Sequence, residues 1–181
     1  MEPRGEIAHH GPDYDKAKEH WGFSKPSKPK LPLRVLGEHP IDRFINLQLK
    51  EAKLPANSRA EDGLLVRRVF YDLIGLPPAP EEVDEYVNDE NSEKFSNLVD
   101  RLLMSSHYGE KWGRHWLDLV RYAETNGYER DGNKPEIWRY RDYVIDSFNQ
   151  NKPYDRMILE HIAGDELPGA DAASITATGY H

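Results

Sequence analysis

The 181-residue sequence predicts a mostly α fold: a compact bundle of about six or seven short helices with an extended Pro/Lys-rich N-terminal arm. Three observations carry that expectation. From Pro40 onward, apolar residues recur three and four positions apart. Proline, glycine and capping residues punctuate those stripes at helical lengths. No segment sustains the alternation of a half-buried strand. The length suits one sizeable core, and the boundaries follow as residues 1–38 for the arm or linker and 39–181 for the helical domain.

The arm contains SKPSKPKLPL, in which prolines alternating with lysines cannot hold a helix and favour an extended path. His20-Trp21-Gly22-Phe23 precedes it and reads as an aromatic anchor docked on the body. Pro40 opens the first helix of the domain, with Ile41, Phe44, Ile45 and Leu49 near one face. Ser58-Arg59-Ala60-Glu61 has the form of a capping box before the stripe Leu65, Val66, Val69, Phe70 and Leu73, which Gly75, Pro77 and Pro78 stop. Pro80 opens a short helix with Val83, Tyr86 and Val87 inward. Ser92 is placed to cap the next, whose buried stripe is Phe95, Leu98, Val99, Leu102 and Leu103.

After Ser105–Gly109, the segment EKWGRHWLDLVRYAE steps through Trp112, Trp116, Leu119 and Ala123 at helical spacing. A helix from about Glu136 to Asn149 carries Ile137, Trp138, Val144, Ile145 and Phe148. Another begins at Pro153, carries Met157, Ile158 and Ile162, and ends at Gly164. SITATGYH starts a further element and stops within it, as a truncated domain would.

Composition excludes several functions. There is no cysteine, hence no thiolate metal site and no Cys-x-x-Cys-His attachment for a c-type haem. No apolar run approaches the length of a membrane span. Residues 1–34 hold seven Lys/Arg against five Asp/Glu, and residues 35–181 hold 17 against 27, so the body repels nucleic acid. The seven acids from Glu81 to Glu93 read as a solvated helix face with acids in its first turn. The N-terminus lacks the basic-then-apolar pattern of a signal peptide.

Ten of the 19 aromatics fall between Tyr108 and Tyr154. Trp112, Trp116 and Phe148 have the spacing of core residues, whereas Tyr128, Trp138 and Tyr140 border the glycine-bearing connection that follows Arg121. Aromatic faces beside acids and arginines suit a sugar, the ring stacking while charged groups meet hydroxyls. The candidate ligand-binding set is Asp118, Arg121, Glu124, Tyr128, Glu129, Trp138 and Arg141; no catalytic residue is assigned. Arg114, Asp118 and Arg121 equally fit an ion-pair row on one helix face. Glu124, Asn126, Glu129, Asp131 and Asn133 supply oxygen ligands, but their spacing is not that of an EF-hand loop and no metal is expected. A pair of these acids would suit glycoside chemistry only at a separation of roughly 5 to 10 Å, which a sequence does not report. Asp165 reads as a turn residue. His107, His115 and His161 show no ligand spacing, and His115 reads as a hydrogen-bonded packing residue.

HWGF, HPIDRF, FYDLIGLPPAPEEVDEYV, LVDRLLMSSHYGEKWGRHWLDLVRYAETNGYE, IWRYRDYVIDSFN, PYDRMILEHIAGDELP and ATGYH together resemble the domain of unknown function that accompanies planctomycete-type cytochrome c domains. The resemblance covers about residues 20–181. It implies a large protein, periplasmic or otherwise exported, with a haem-bearing cytochrome domain before this one and another uncharacterised domain after it, the chain continuing past a Gly-Phe-His or Gly-Tyr-His motif. Neither neighbour lies in these 181 residues, so no cofactor is expected in this chain and haem is implied only for a neighbouring domain. The resemblance implies those domains as partners, the aromatic and charged set read above adds a carbohydrate, and no settled activity comes with the family. An accessory ligand-binding module is one functional class; the alternative is an enzyme, a carboxylate-based hydrolase or an oxidoreductase subunit.

Overall fold

The computed structural model describes residues 14–33, 39–127 and 131–180. The fold is mostly α. Among the described residues there are nine α-helices and no strand: α1 (Tyr14–Lys18), α2 (Pro40–Glu51), α3 (Asp62–Leu73), α4 (Pro80–Asn88), α5 (Lys94–Leu103), α6 (Ser106–Leu119), α7 (Trp138–Asn149), α8 (Tyr154–Ala163) and α9 (Ala172–Ala177). No helix among them is long and apolar enough to cross a membrane. The chain divides into two units, Met1–Ser58 and Arg59–His181.

In the first unit, residues 24–32 carry neither helix nor strand, as the proline–lysine alternation requires. The expected aromatic anchor is solvent-facing: Trp21 and Phe23 are exposed in a 3-10 turn whose ring contacts are with the adjacent His20. Pro40 stands at the first position of α2, where a missing N–H costs nothing, and the His39 ring accepts from the Ile41 N–H at 3.2 Å. Ile41 and Ile45 are more than half exposed, so the apolar stripe of α2 is a surface feature.

The second unit has two apolar clusters. The first joins Val66, Val69 and Phe70 of α3 to Tyr86 of α4 and to Leu98 and Leu102 of α5. Gly75 ends α3 at φ 74°, a left-handed conformation glycine reaches without a Cβ clash, and its N–H returns to the Phe70 carbonyl at 3.1 Å. The capping box expected at Ser58–Glu61 does not form: α3 starts at Asp62 behind an uncapped Glu61, and the Asp62 carboxylate takes the Lys94 ammonium at 2.8 Å. Ser92 does not cap α5 either. Two Asx turns replace it, Asp89 accepting from the Asn91 N–H at 2.8 Å and Asn91 from the Glu93 N–H at 2.9 Å, which delays the helix to Lys94. A reach-back bond forms instead at α4, from the Ala79 N–H to Glu82 at 2.9 Å. Val87, Phe95 and Leu103 prove exposed, because they sit at the margins of stripes whose centres alone meet a neighbour.

Tyr86 places its hydroxyl in this cluster with no hydrogen-bond partner among the described residues. A buried unpaired hydroxyl costs about 1–3 kcal/mol. Tyr86→Phe is therefore expected to hold or raise stability, by up to about 1 kcal/mol in chemical denaturation; a loss of that size would reveal a partner for the hydroxyl.

The second cluster holds Tyr140, Tyr143 and Val144 of α7, Met157 of α8 and Ala177 of α9, with Trp116, Leu117 and Phe148 packed against it. Trp112, expected in the core, is instead 36% exposed with its ring centroid 6.2 Å from that of Tyr108, because it sits at the margin of the α6 stripe, and Ile162 faces solvent. His115 is exposed and makes a ring contact with Trp112 at 5.4 Å instead of the expected hydrogen bond. Asp171 and Ser174 form a reciprocal capping box at the start of α9, with bonds of 2.8 and 3.0 Å.

Candidate functional site

The connection between α6 and α7 is pinned at both ends. Val120 closes α6, and Arg121 adopts φ 55°, so the chain turns sharply away from the helix axis. Arg121 consequently leaves the α6 face that it would share with Arg114 and Asp118 in a continuous helix, and the expected ion-pair row is absent among the described residues. Further on, Lys134 N–H donates to the Glu124 carbonyl at 2.9 Å, Asn126 N–H to Gly132 at 3.0 Å, and Thr125 bridges Asn133 in antiparallel sense. The Asp131 carboxylate accepts from the Gly127 N–H at 2.9 Å. These bonds return the loop to its own starting point and set Glu124 beside the first turn of α7.

There Glu124, Asn133, Lys134, Trp138 and Arg141 line a groove of about 420 Å³. Arg141 is its electrostatic hub. One guanidinium nitrogen reaches Glu124 at 3.2 Å, and Nε and Nη2 each reach Asp142 at 3.1 Å. The Asp142 bonds hold the Arg141 guanidinium still more firmly charged. Tyr122 donates to Glu124 at 3.3 Å, and burial followed by the Glu124 charge pushes its phenol up. Arg141 and Glu124 remain substantially exposed, so their pairing contributes orientation more than stability. Trp138 is 42% exposed with the Arg139 guanidinium 5.1 Å from its ring centroid, and Arg139 is itself tied to Glu136 at 2.6 Å.

Of the seven expected ligand residues, Glu124, Trp138 and Arg141 share this groove. Arg121 lines a neighbouring cleft of about 70 Å³ that shares Lys134 and Ile137 with it. Asp118 is exposed on α6 and lines neither. Tyr128 and Glu129 lie outside the described residues. Among the described residues no group of three or more His, Asp or Glu is arranged to hold a metal ion.

What fixes α7 is a set of buried polar contacts that sequence spacing does not assemble. While Trp138 and Arg141 face the groove, Tyr140 and Tyr143 of the same helix are buried against polar partners on α8. His161 is 3% exposed; its Nδ1 lies 2.7 Å from the Met157 carbonyl, which only accepts, so Nδ1 carries the proton and Nε2 accepts. Tyr140 OH at 2.8 Å and Trp116 Nε1 at 3.2 Å address that Nε2. Glu160, 5% exposed, receives Lys152 at 2.6 Å, Tyr143 OH at 2.7 Å and Arg156 at 2.8 Å. Burial alone would raise the Glu160 carboxyl, but these three donors outweigh it and bring the pKa down to about 2. Burial and the bond to Glu160 push the Tyr143 phenol up. Glu160 and His161 share the Met157 face of α8, and two polar residues on an apolar face were the available signal; their partners lie too far along the chain for spacing to find.

A protein family described as PSCyt2, protein of unknown function (DUF1549), matches residues 40–181, and the chain belongs to that family. Comparison with curated proteins found no match, and comparison with solved structures found none.

Proposed function

We propose that this member of the PSCyt2 family is a carbohydrate-binding helical module. The observation that carries the reading is the half-exposed Trp138 ring beside a groove in which a carboxylate, a guanidinium, an ammonium and an amide converge. A pyranose presents an apolar C–H face, which an indole covers, and a rim of hydroxyls that both donate and accept. Glu124 accepts, Lys134 donates, Asn133 does either, and the Arg141–Glu124 pair leaves the rim polar without one dominant charge. At about 420 Å³ the groove falls within the range of small-ligand sites.

The resemblance of the motifs supports placing the module in an exported multidomain protein, with a c-type haem held by a neighbouring domain. A Cys-x-x-Cys-His codon run in frame with these 181 residues is the expected finding; a complete open reading frame without one would remove the cytochrome link.

Loss of Trp138 tests the binding reading. Stacking worth about 1.5 kcal/mol corresponds to roughly tenfold in affinity, so Trp138→Ala is expected to weaken neutral-oligosaccharide binding at least that much. The readouts are calorimetric titration and the ligand-induced rise in melting temperature. Undiminished binding by a folded Trp138→Ala protein, or no binding of neutral oligosaccharides by the parent chain, rejects the proposal.

A further inference from the structure

We infer that the ligand is an uncharged oligosaccharide held in two subsites on either side of Trp138, an inference that rests on the carbohydrate reading above. Trp138 lines the loop groove and also a second groove of about 270 Å³ between α7 and α9. The two are joined a second time: Arg141 belongs to the first, Asp142 to the second, and they are hydrogen-bonded at 3.1 Å. The ring and this ion pair therefore form a ridge common to both grooves.

The second groove is elongated by construction. Trp138, Asp142, Asp146 and Gln150 all line it, and they recur every fourth residue along one face of α7. At 1.5 Å per residue that stripe runs about 18 Å, longer than one sugar ring needs. The facing α9 contributes Ala172 and Ala173, small side chains that leave the trough open.

Its charge selects the class of chain. Both cations in the trough are already engaged, Arg139 by Glu136 and Lys152 by Glu160, each at 2.6 Å. Asp142 is matched by Arg141, while Asp146 forms no ion pair among the described residues. The unbalanced charge is negative, so a uronate or sulfated chain is repelled, while carboxylates and the Gln150 amide suit hydroxyls.

The test is calorimetric titration of the full chain with glucose-, mannose- and xylose-based oligosaccharides of one to six units and with oligogalacturonates. Affinity for the neutral series that binds is expected to rise at least tenfold between two and four units, with no oligogalacturonate binding. Ala173→Trp, at an exposed position of α9, fills the trough and is expected to reduce that length gain to within about twofold. Asp146→Lys supplies an independent reading, because it is expected to admit oligogalacturonate. A parent chain with length-independent affinity, a length gain that survives in folded Ala173→Trp, or oligogalacturonate binding by the parent overturns the two-subsite inference while the single-groove reading stands. If no neutral sugar of any length binds, both fall.

Discussion

Glu160→Gln is expected to cost about 3 kcal/mol at neutral pH, lowering the melting temperature by roughly 10 °C. The amide keeps the shape of the acid but removes the charge on which Lys152, Tyr143 and Arg156 converge. Lys152 is 16% exposed, so its ammonium loses a counter-ion in a place where water compensates little. Arg156 is half exposed and recovers more of its solvation, which keeps the cost near the lower end for a broken buried pair. The effect carries a pH signature. Because folding lowers the Glu160 pKa from 4.5 to about 2, the stabilisation is complete above pH 4.5 and disappears as the pH falls through the folded value. That shift corresponds to about 3 kcal/mol, in agreement with the substitution estimate. Melting curves of the parent and Glu160→Gln proteins should thus be well separated at pH 7 and 5, stand roughly half as far apart at pH 3 and meet near pH 2. A gap that stays constant over that range would show that the carboxylate charge is not the source of the stability.

The second large effect comes from glycine. Gly109 and Gly113 are both buried one turn apart on α6 and face α7, yet they are not equivalent. A Cβ on Gly109 would overlap the Ile145 carbonyl and stand 2.6 Å from the Asn149 side chain, whose oxygen accepts the Gly109 N–H at 2.7 Å. Backbone cannot yield as a side-chain tip does, so Gly109→Ala forces the helices apart and strains that bond. A net loss of about 2–3 kcal/mol is expected, overpacking exceeding the roughly 1 kcal/mol that alanine gains in helix propensity. At Gly113 the nearest atoms are Val144 Cγ1 at 3.4 Å and Ile145 Cγ1 at 3.5 Å, ordinary contact distances. Gly113→Ala is expected within about 1 kcal/mol of the parent, on either side, by urea denaturation. Equal losses at both positions would mean that the close approach of α6 to α7 is not concentrated at Gly109.

Helices were legible in the sequence because an amphipathic stripe needs only local spacing: Val66, Val69 and Phe70, or Leu98 and Leu102, announce the buried side of their helices wherever those helices pack. The starts of α3 and α5 were not legible. A cap depends on which donors remain free, and Lys94 had already recruited Asp62 across 32 residues of chain. The margins of the stripes were overestimated for a related reason, since periodicity assigns Phe95, Leu103 and Ile162 to a face without saying how wide the neighbour on it is. At the site, the chemistry of Glu124, Trp138 and Arg141 was readable from residue type. Their convergence depends on the left-handed Arg121 and on the register of Thr125 with Asn133, neither of which has a one-dimensional signature. Lys134 and Asp142 were passed over because each looks like an ordinary solvated charge until the groove and the Arg141 pair are seen.

The most direct measurement is a two-dimensional amide and indole NMR spectrum of the full chain, titrated with a neutral tetrasaccharide. Saturable shifts at the Trp138 indole, at the amides of Glu124, Thr125, Asn133 and Lys134, and along α7 through Asp146 are expected, with the α3–α5 cluster unmoved. A spectrum unchanged at millimolar sugar, or shifts confined to residues away from α7 and its preceding loop, would contradict a carbohydrate site built on Trp138.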